Sequence, residues 1–361
     1  MQRDENWSRR EFLRVAGGMA AALTAGGVAV PGRTAAARKA TATHSVNTAI
    51  YAPHMVAEEK GYFKQEGLEV EFVVPGGGAR VAQVLAAGQA MFAQGDSNHP
   101  QKISEKGKPC LMIYATDVRC SYANIVIRKE LYDQGLTTVE KLATMKRPDG
   151  KNRIIAATRI GSGTWVYGTY VLQQFKAPDG KTVNDHVTWV GGGESATMLG
   201  GLKSGQFDAI MAVPIWMWEA EDGGYGKALY DVTQQPAWER VFGGNIPSSV
   251  GYALRDTLEK HQDATQGYVN ATYRTMKYLK TATAEEVYDL IGPKYMANFK
   301  KEIVVREIRY YQSIFDYDAL IDERDYANGM KVWYPNAVSV QYTYAEAVDM
   351  TFVKRAMEKY G

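Results

Sequence analysis

Hydrophobic and polar positions between residues 44 and 212 run through one order of elements twice. In the first pass, HSVNTAIY reads as a strand and PHMVAEEKGYFKQEGL as a helix that ends at a glycine. LEVEFVV alternates apolar and polar positions, as a half-buried strand does. Pro75-Gly76-Gly77-Gly78, a short helix over ARVAQVLAAGQ and the strand AMFAQ follow. In the second pass RIIAATRI is a strand, GSGTWVYGTYVLQQF a loop and helix, and HVTWV a strand. Gly191-Gly192-Gly193, the helix ESATMLGGLKSGQ and the strand FDAIMAV complete it. Both passes place three glycines after the second strand and a Gly-Gln pair (Gly88-Gln89, Gly205-Gln206) before the third.

A strand–helix–strand–helix–strand order needs right-handed crossovers, which give a mostly parallel sheet covered by helices. Two such units predict two α/β lobes. KPCLMIYATD adds a strand, CSYANIVIRKELYDQGLTTVEKL crosses to the second lobe, and IPSSVGYALR returns as a strand of the first. The crossings, near residues 118–126 and 222–250, predict a two-stranded hinge. Lobe 1 is expected over residues 41–121 and 228–361, and lobe 2 over 122–227. The helical runs DATQGYVNATYRTMKYLKTA, TAEEVYDLIG and TYAEAVDMTFVKRAMEKY are expected on lobe 1. Ligands of open sheets sit beyond the carboxyl ends of the strands, so two facing lobes would share one cleft.

The N-terminus changes the picture by adding an address. A polar region ends in Arg9-Arg10, an apolar stretch runs from Val15 to Val30, and Ala35-Ala36-Ala37 offers small residues for cleavage. Ser8-Arg9-Arg10-Glu11-Phe12-Leu13 resembles the twin-arginine export signal. The apolar stretch is short and rich in Gly and Ala, a poor membrane span. Residues 1–40 are therefore expected to be a leader, handled by the twin-arginine translocase and directing a folded protein to a bacterial periplasm. The first 37 residues hold five Arg and three acids, which leaves 37 basic and 37 acidic residues in the remainder. A neutral remainder without a polybasic patch argues against nucleic acid as a partner. Cys110 and Cys120 are the two cysteines. Ten residues of strand span about 33 Å, beyond disulfide reach, so two buried thiols are expected.

Candidate chemistry points to binding. No G-x-S-x-G elbow, P-loop, H-E-x-x-H or C-x-x-C occurs, and five His are scattered. No catalytic residue, metal or cofactor is expected. His54 and Glu58, four apart, could chelate a cation, but a solvated or capping pair is the commoner use of that spacing. The strand tips carry the remaining signal. Gly161-Ser162-Gly163-Thr164 opens a helix, where free N–H groups and hydroxyls suit an anion or simply cap the helix. Gly95-Asp96-Ser97-Asn98 holds the matching place in lobe 1, and Asp96 either accepts from a ligand or caps the next helix. Tyr51, His54, Trp165 and Trp216 are aromatic candidates, whereas Trp218 reads as packing. Glu194 either faces the ligand or sits favourably on a helix dipole. With Pro214, these residues form the expected ligand site.

The run IYAPHMVAEEKGYFKQEGLEVEFVVPGGG, followed by QVLAAGQAMFAQGDS, resembles the solute-binding proteins of ABC importers. The closest group is the one serving nitrate, sulfonates, taurine and thiamine-pyrimidine precursors. Gly61-Tyr62-Phe63, Gly67-Leu68-Glu69-Val70 and Gly205-Gln206-Phe207-Asp208-Ala209 fit its pattern. The resemblance covers residues 44–260 and is most specific over 44–97. It implies a type II periplasmic binding protein, α/β, with two lobes, a two-stranded hinge, closure on a small-molecule ligand, and docking to ABC permease subunits. It also implies that Tyr51, His54, Asp96, Ser97, Ser162, Gly163, Thr164 and the Val213–Trp216 loop line the site. Trp165 is bulkier than an anion loop needs, and only Arg159 and the crossover Arg119 put cations at tips. A sulfonate, an aromatic carboxylate or a pyrimidine is the ligand expected, with a monomer as the natural shuttle. A pyrimidine-precursor synthase-like enzyme on the same fold, or a ligand-dependent sensor partner, are the alternatives.

Overall fold

The computed structural model describes residues 37–361. The twin-arginine motif, the apolar stretch Val15–Val30 and Ala35-Ala36 lie outside the described residues. The strands in chain order are β1 (Arg38–Thr43), β2 (Leu68–Val73), β3 (Phe92–Asp96), β4 (Cys110–Ala115) and β5 (Asn124–Arg128). They continue with β6 (Arg153–Ala157), β7 (Val187–Gly191), β8 (Ala209–Ala212), β9 (Gly226–Tyr230) and β10 (Ser249–Leu254). They make two five-stranded sheets, ordered β2-β1-β3-β10-β4 and β7-β6-β8-β5-β9.

The two passes share one topology. β1 lies parallel between β2 and β3, and β6 lies parallel between β7 and β8. The fourth strand of each sheet, β10 or β5, runs antiparallel to both its neighbours. Each of these follows a crossing: β5 comes after the first and β10 after the second. The result is two α/β lobes with mixed sheets, their helices packed on the faces. No helix among the described residues is long and apolar enough to cross a membrane.

The first strand is RKATAT, not HSVNTAIY, and it begins inside the range assigned to the leader. RKATAT has no apolar run to announce it. Its strand state comes from pairing with β2 along all six residues and with β3 on the other side. HSVNTAIY is instead the loop beyond β1, ending in a 3-10 turn at Ala49–Tyr51. Two of its buried polar side chains find partners, with His44 bonded to His54 and Ser45 to Tyr51. The helix expected over residues 53–68 is also split, because Gly61 at φ 66° separates Ala52–Glu59 from Tyr62–Gln65.

The second sheet runs through Tyr230, past the expected boundary at residue 227, because β9 pairs with β5. Two C-terminal helices also reach lobe 2. Glu307, on helix Lys301–Ile314, accepts from the Ile215 amide at 3.2 Å. Trp333, on helix Glu323–Trp333, donates to the Tyr167 hydroxyl at 3.1 Å. The C-terminal helices therefore do not sit on lobe 1 alone.

The crossings are residues 116–123 and 231–248, and a buried carboxylate ties them together. Asp117 accepts the amides of Ser248 and Ser249, both at 2.9 Å, and the Ser248 hydroxyl. Burial pushes its carboxyl up to about 8, against the pull of those bonds. Cys110 and Cys120 are buried free thiols.

The middle of the first sheet has no spare room. A Cβ on Gly251 of β10 would lie 2.0 Å from the Tyr114 ring of β4. Tyr114 cannot swing away, since its hydroxyl bonds that of Tyr268 at 3.1 Å. Gly251→Ala should cost about 1–3 kcal/mol of stability through overpacking. Urea unfolding will check this: a lower midpoint at unchanged slope is expected, and an unmoved midpoint would mean the strand gives way freely.

Candidate functional site

The carboxyl tips of the two sheets meet at a cavity of about 40 Å³, counted as space for the centre of a water molecule. That is room for roughly three waters. Lobe 1 contributes Ser45 and Tyr51 after β1, Gly95 and Asp96 at the end of β3, and His99 in the next helix. Lobe 2 contributes Thr158 after β6, the Ser162-Gly163-Thr164 loop, and Val213 and Trp216 after β8. Tyr122, from the first crossing, completes the wall.

Six of the expected site residues thus come together: Tyr51, Asp96, Ser162, Gly163, Thr164 and Trp216. The others stand elsewhere. His54 is a core residue, 2.5 Å from the Tyr268 hydroxyl through Nε2 and 3.2 Å from His44 through Nδ1. Burial pushes both imidazoles down, His44 to about 4, so the pair is neutral and no partnership with Glu58 forms. Ser97 donates to the Pro247 carbonyl, and the Asn98 amide group donates to Asp96. Trp165 is half-buried and packs on the hydrophobic core outside the cavity lining. Pro214 is buried at the start of helix Pro214–Asp222. Glu194 is exposed at the rim and caps nothing, its carboxylate lying instead against Gly76 of lobe 1.

Asp96 joins the two lobes electrostatically. One oxygen accepts from the Asn98 amide at 2.9 Å, two residues on, just ahead of a helix whose N-cap is Ser97. The other accepts from the Tyr122 hydroxyl and faces lobe 2. A Cβ on Gly163 would lie 2.4 Å from that oxygen, an approach that only glycine allows. Burial pushes the Asp96 carboxyl up to about 6, opposed by the Tyr122 and Asn98 bonds and by the charge of Lys102. Lys102 itself spans the lobes, donating to the Gly161 carbonyl at 2.7 Å. Neither it, Arg159 nor Arg119 lines the cavity, which holds no cationic side chain.

The Gly-Ser-Gly-Thr loop does not act as a side-chain cap. The hydroxyls of Thr158, Ser162 and Thr164 bond one another at 2.9–3.0 Å, and Ser162 also donates to the Arg159 carbonyl at 2.7 Å. Two other polar groups of the cavity lining are left open, and the buried Nε of Arg159 is open outside it. Trp216 is fully buried and its Nε1 has no partner. The Tyr252 hydroxyl and Nδ1 of His99 share a hydrogen bond at 3.2 Å, and the imidazole tautomer sets which of them donates and whether Nε2 is a donor or an acceptor. That Nε2 is buried and unpartnered as well. Burial pushes His99 down to about 3, so it is neutral.

His99, Tyr122 and Thr158 escaped the reading of the sequence. His99 was detectable, because it lies three residues after Asp96 at a helix opening. Tyr122 gave no local signal.

Residues 48–140 match the family model described as NMT1/THI5 like. A Bacillus subtilis (strain 168) protein named as a binding protein, YtlA, is 22% identical over 289 residues, covering 80% of this chain and 79% of its own. A protein from Bordetella bronchiseptica RB50 superposes with a TM-score of 0.75 at 25% identity, covering 89% of this chain and 98% of that one. The periplasmic nitrate-binding protein NrtA of Synechocystis PCC 6803 follows at 0.69 and 12%, covering 89% of each. The chain has the periplasmic-binding-protein fold. The matched family model and the nitrate- and sulfonate-binding neighbours are those of the group that the sequence resembled. The similar structures include ligand-binding components of import systems and a desulfurization enzyme, the latter at a TM-score of 0.60 and 13% identity.

Asp96 also sets a pH signature. Its carboxyl is raised on folding, so its favourable contribution is complete below the unfolded value of 3.8 and is lost as pH rises through about 6. That difference corresponds to about 3 kcal/mol. Asp96→Asn should therefore match the parent protein near pH 4 and exceed it in stability by up to that amount at pH 8. Urea melts of both proteins across this range provide the check, and parallel pH profiles would refute it.

Proposed function

We propose that this protein is the solute-binding component of an ABC import system, closing two lobes on a small solute and presenting it to a membrane permease. Support for the transport role comes from the fold, from the family model over residues 48–140, and from a cavity built by strand tips of both lobes. The leader motif fits a folded monomer exported to the periplasm. The finer reading concerns ligand chemistry. One carboxylate, the open Trp216 N–H, the open Nε2 of His99 and no cation line the cavity, and this combination carries the argument. A bound sulfonate or carboxylate would set its charge against Asp96, with the charge of Lys102, outside the lining, to offset it. A neutral or cationic heterocycle with a donor and an acceptor side by side, such as an aminopyrimidine, fits instead. Its amine would meet Asp96, its ring nitrogen the N–H of Trp216, or of His99 in its Nε2–H tautomer, and its faces the rings of Tyr51 and Trp216.

The structure shifts this reading away from its first basis. Trp165, the residue that first favoured an aromatic ligand, does not reach the cavity, and Trp216 takes that place. With room for only about three waters, a ring-sized solute would enter through open lobes and hold them slightly apart. The enzyme alternative has less support. Neither cysteine lines the cavity, and Ser162 has only Thr158, Thr164 and Arg159 as hydrogen-bond partners among the described residues.

A thermal-shift panel of aminopyrimidines, alkanesulfonates, aromatic carboxylates and nitrate tests the proposal. An aminopyrimidine at a hundred times its dissociation constant should add about 2.7 kcal/mol of stability. Asp96→Asn should weaken that binding at least about tenfold, or 1.4 kcal/mol. A response to nitrate or a sulfonate instead would overturn the ligand assignment.

A further inference from the structure

Glu307 is fully buried on helix Lys301–Ile314, with no cation beside it. Its two carboxylate oxygens face different lobes. Oε2 accepts the Ala49 amide of lobe 1 at 2.9 Å, and Oε1 accepts the Ile215 amide of lobe 2 at 3.2 Å. Ala49 opens the 3-10 turn that carries Ile50 and Tyr51, and Ile215 follows Pro214 at the start of the helix that carries Trp216. The first amides of a helix have no partner within it, and proline offers none, so Ile215 supplies that helix's first free donor. Tyr51 and Trp216 line the cavity from opposite sides, and Glu307 does not reach it.

A buried carboxylate is a costly way to join two elements, and apolar packing would hold them more firmly. What it adds is two directed bonds, one to each side of a junction about which lobes of this kind rotate. We infer that Glu307 is a positioning residue that sets the gap between the two cavity walls, one oxygen holding the Tyr51 turn and the other the Trp216 helix. Opening the lobes moves Ala49 away from Ile215 and breaks at least one of these bonds.

Glu307 can be watched through its titration. Burial pushes its carboxyl up to about 7, opposed by the two amide bonds. Tyr311 is the titratable neighbour on its own helix. Among the charges on this helix and the packed elements, Glu285 pairs with Arg309, Asp289 with Lys301 and Glu221 with Lys227, Arg306 lies over the Trp218 ring, and Glu219 and Asp222 stand on the helix that carries Trp216. Tyr51 of the 3-10 turn bonds Ser45. In the intact protein without added ligand, the Ala49 and Ile215 amide resonances should shift together, with one midpoint near pH 7. Glu307→Gln should flatten both. Dyes on cysteines introduced at the exposed Gln89 and Lys203 then report lobe separation by energy transfer, since the native thiols are buried. Glu307→Gln should lower the closed-to-open ratio roughly fivefold, the change given by losing one hydrogen bond of about 1 kcal/mol. Amides that titrate separately or not at all, or a variant with the parent's separation, would overturn the inference. Should the variant fail to fold, the titration of the parent protein decides alone. None of these readouts uses a ligand, so a wrong ligand assignment leaves them intact.

Discussion

The cleft depends on one buried carboxylate. Asp117 stands where the chain leaves lobe 1, and its hydrogen bonds come from Ser248 and Ser249, where the chain returns. With no cation among its partners, the carboxyl is met by amide and hydroxyl donors, the usual way in which a buried polar group is satisfied. The same knot extends into the cavity. Tyr122 lies on the same crossing as Asp117 and bonds both the Ser248 carbonyl, at 3.2 Å, and Asp96. Ser97, beside Asp96, bonds the Pro247 carbonyl. Hinge and binding wall are therefore one hydrogen-bonded unit, and a change at one is felt at the other.

The electrostatics of the cleft follow from that arrangement. Burial raises Asp96 and Asp117, while the hydroxyls and amides around them pull back toward the charged form. The neighbouring imidazoles are driven neutral by the same burial. What faces the cavity is one acidic group with neutral donors, a setting in which an organic amine gains and an oxyanion loses. The nitrate- and sulfonate-binding neighbours share the chain path. Specificity lives in side chains at the tips, which a shared path does not dictate.

Glycine decides how near the lobes come. Gly163 allows the helix opening of lobe 2 to rest against Asp96, and Gly76 and Gly77 of lobe 1 lie against Glu194 and Arg159. Lys102 adds a direct bond across the gap.

The order of elements and the doubled lobe were legible in the sequence, because apolar periodicity and glycine punctuation are local properties. Asp96 and Gly163 were legible for the same reason, each marking the end of a strand or the opening of a helix. Strand β1 was not, since RKATAT becomes a strand only through the partners on either side of it. Nor could the sequence choose between two histidines or two tryptophans. His54 turned into the core and His99 toward the cleft, while Trp165 and Trp216 divided in the same way. Which face of a helix looks into a cleft is set by the packing of lobes far apart in the chain. Glu307, tying Ala49 to Ile215 across more than ninety residues in either direction, belongs wholly to that tertiary level, where bonding partners are chosen by proximity in space.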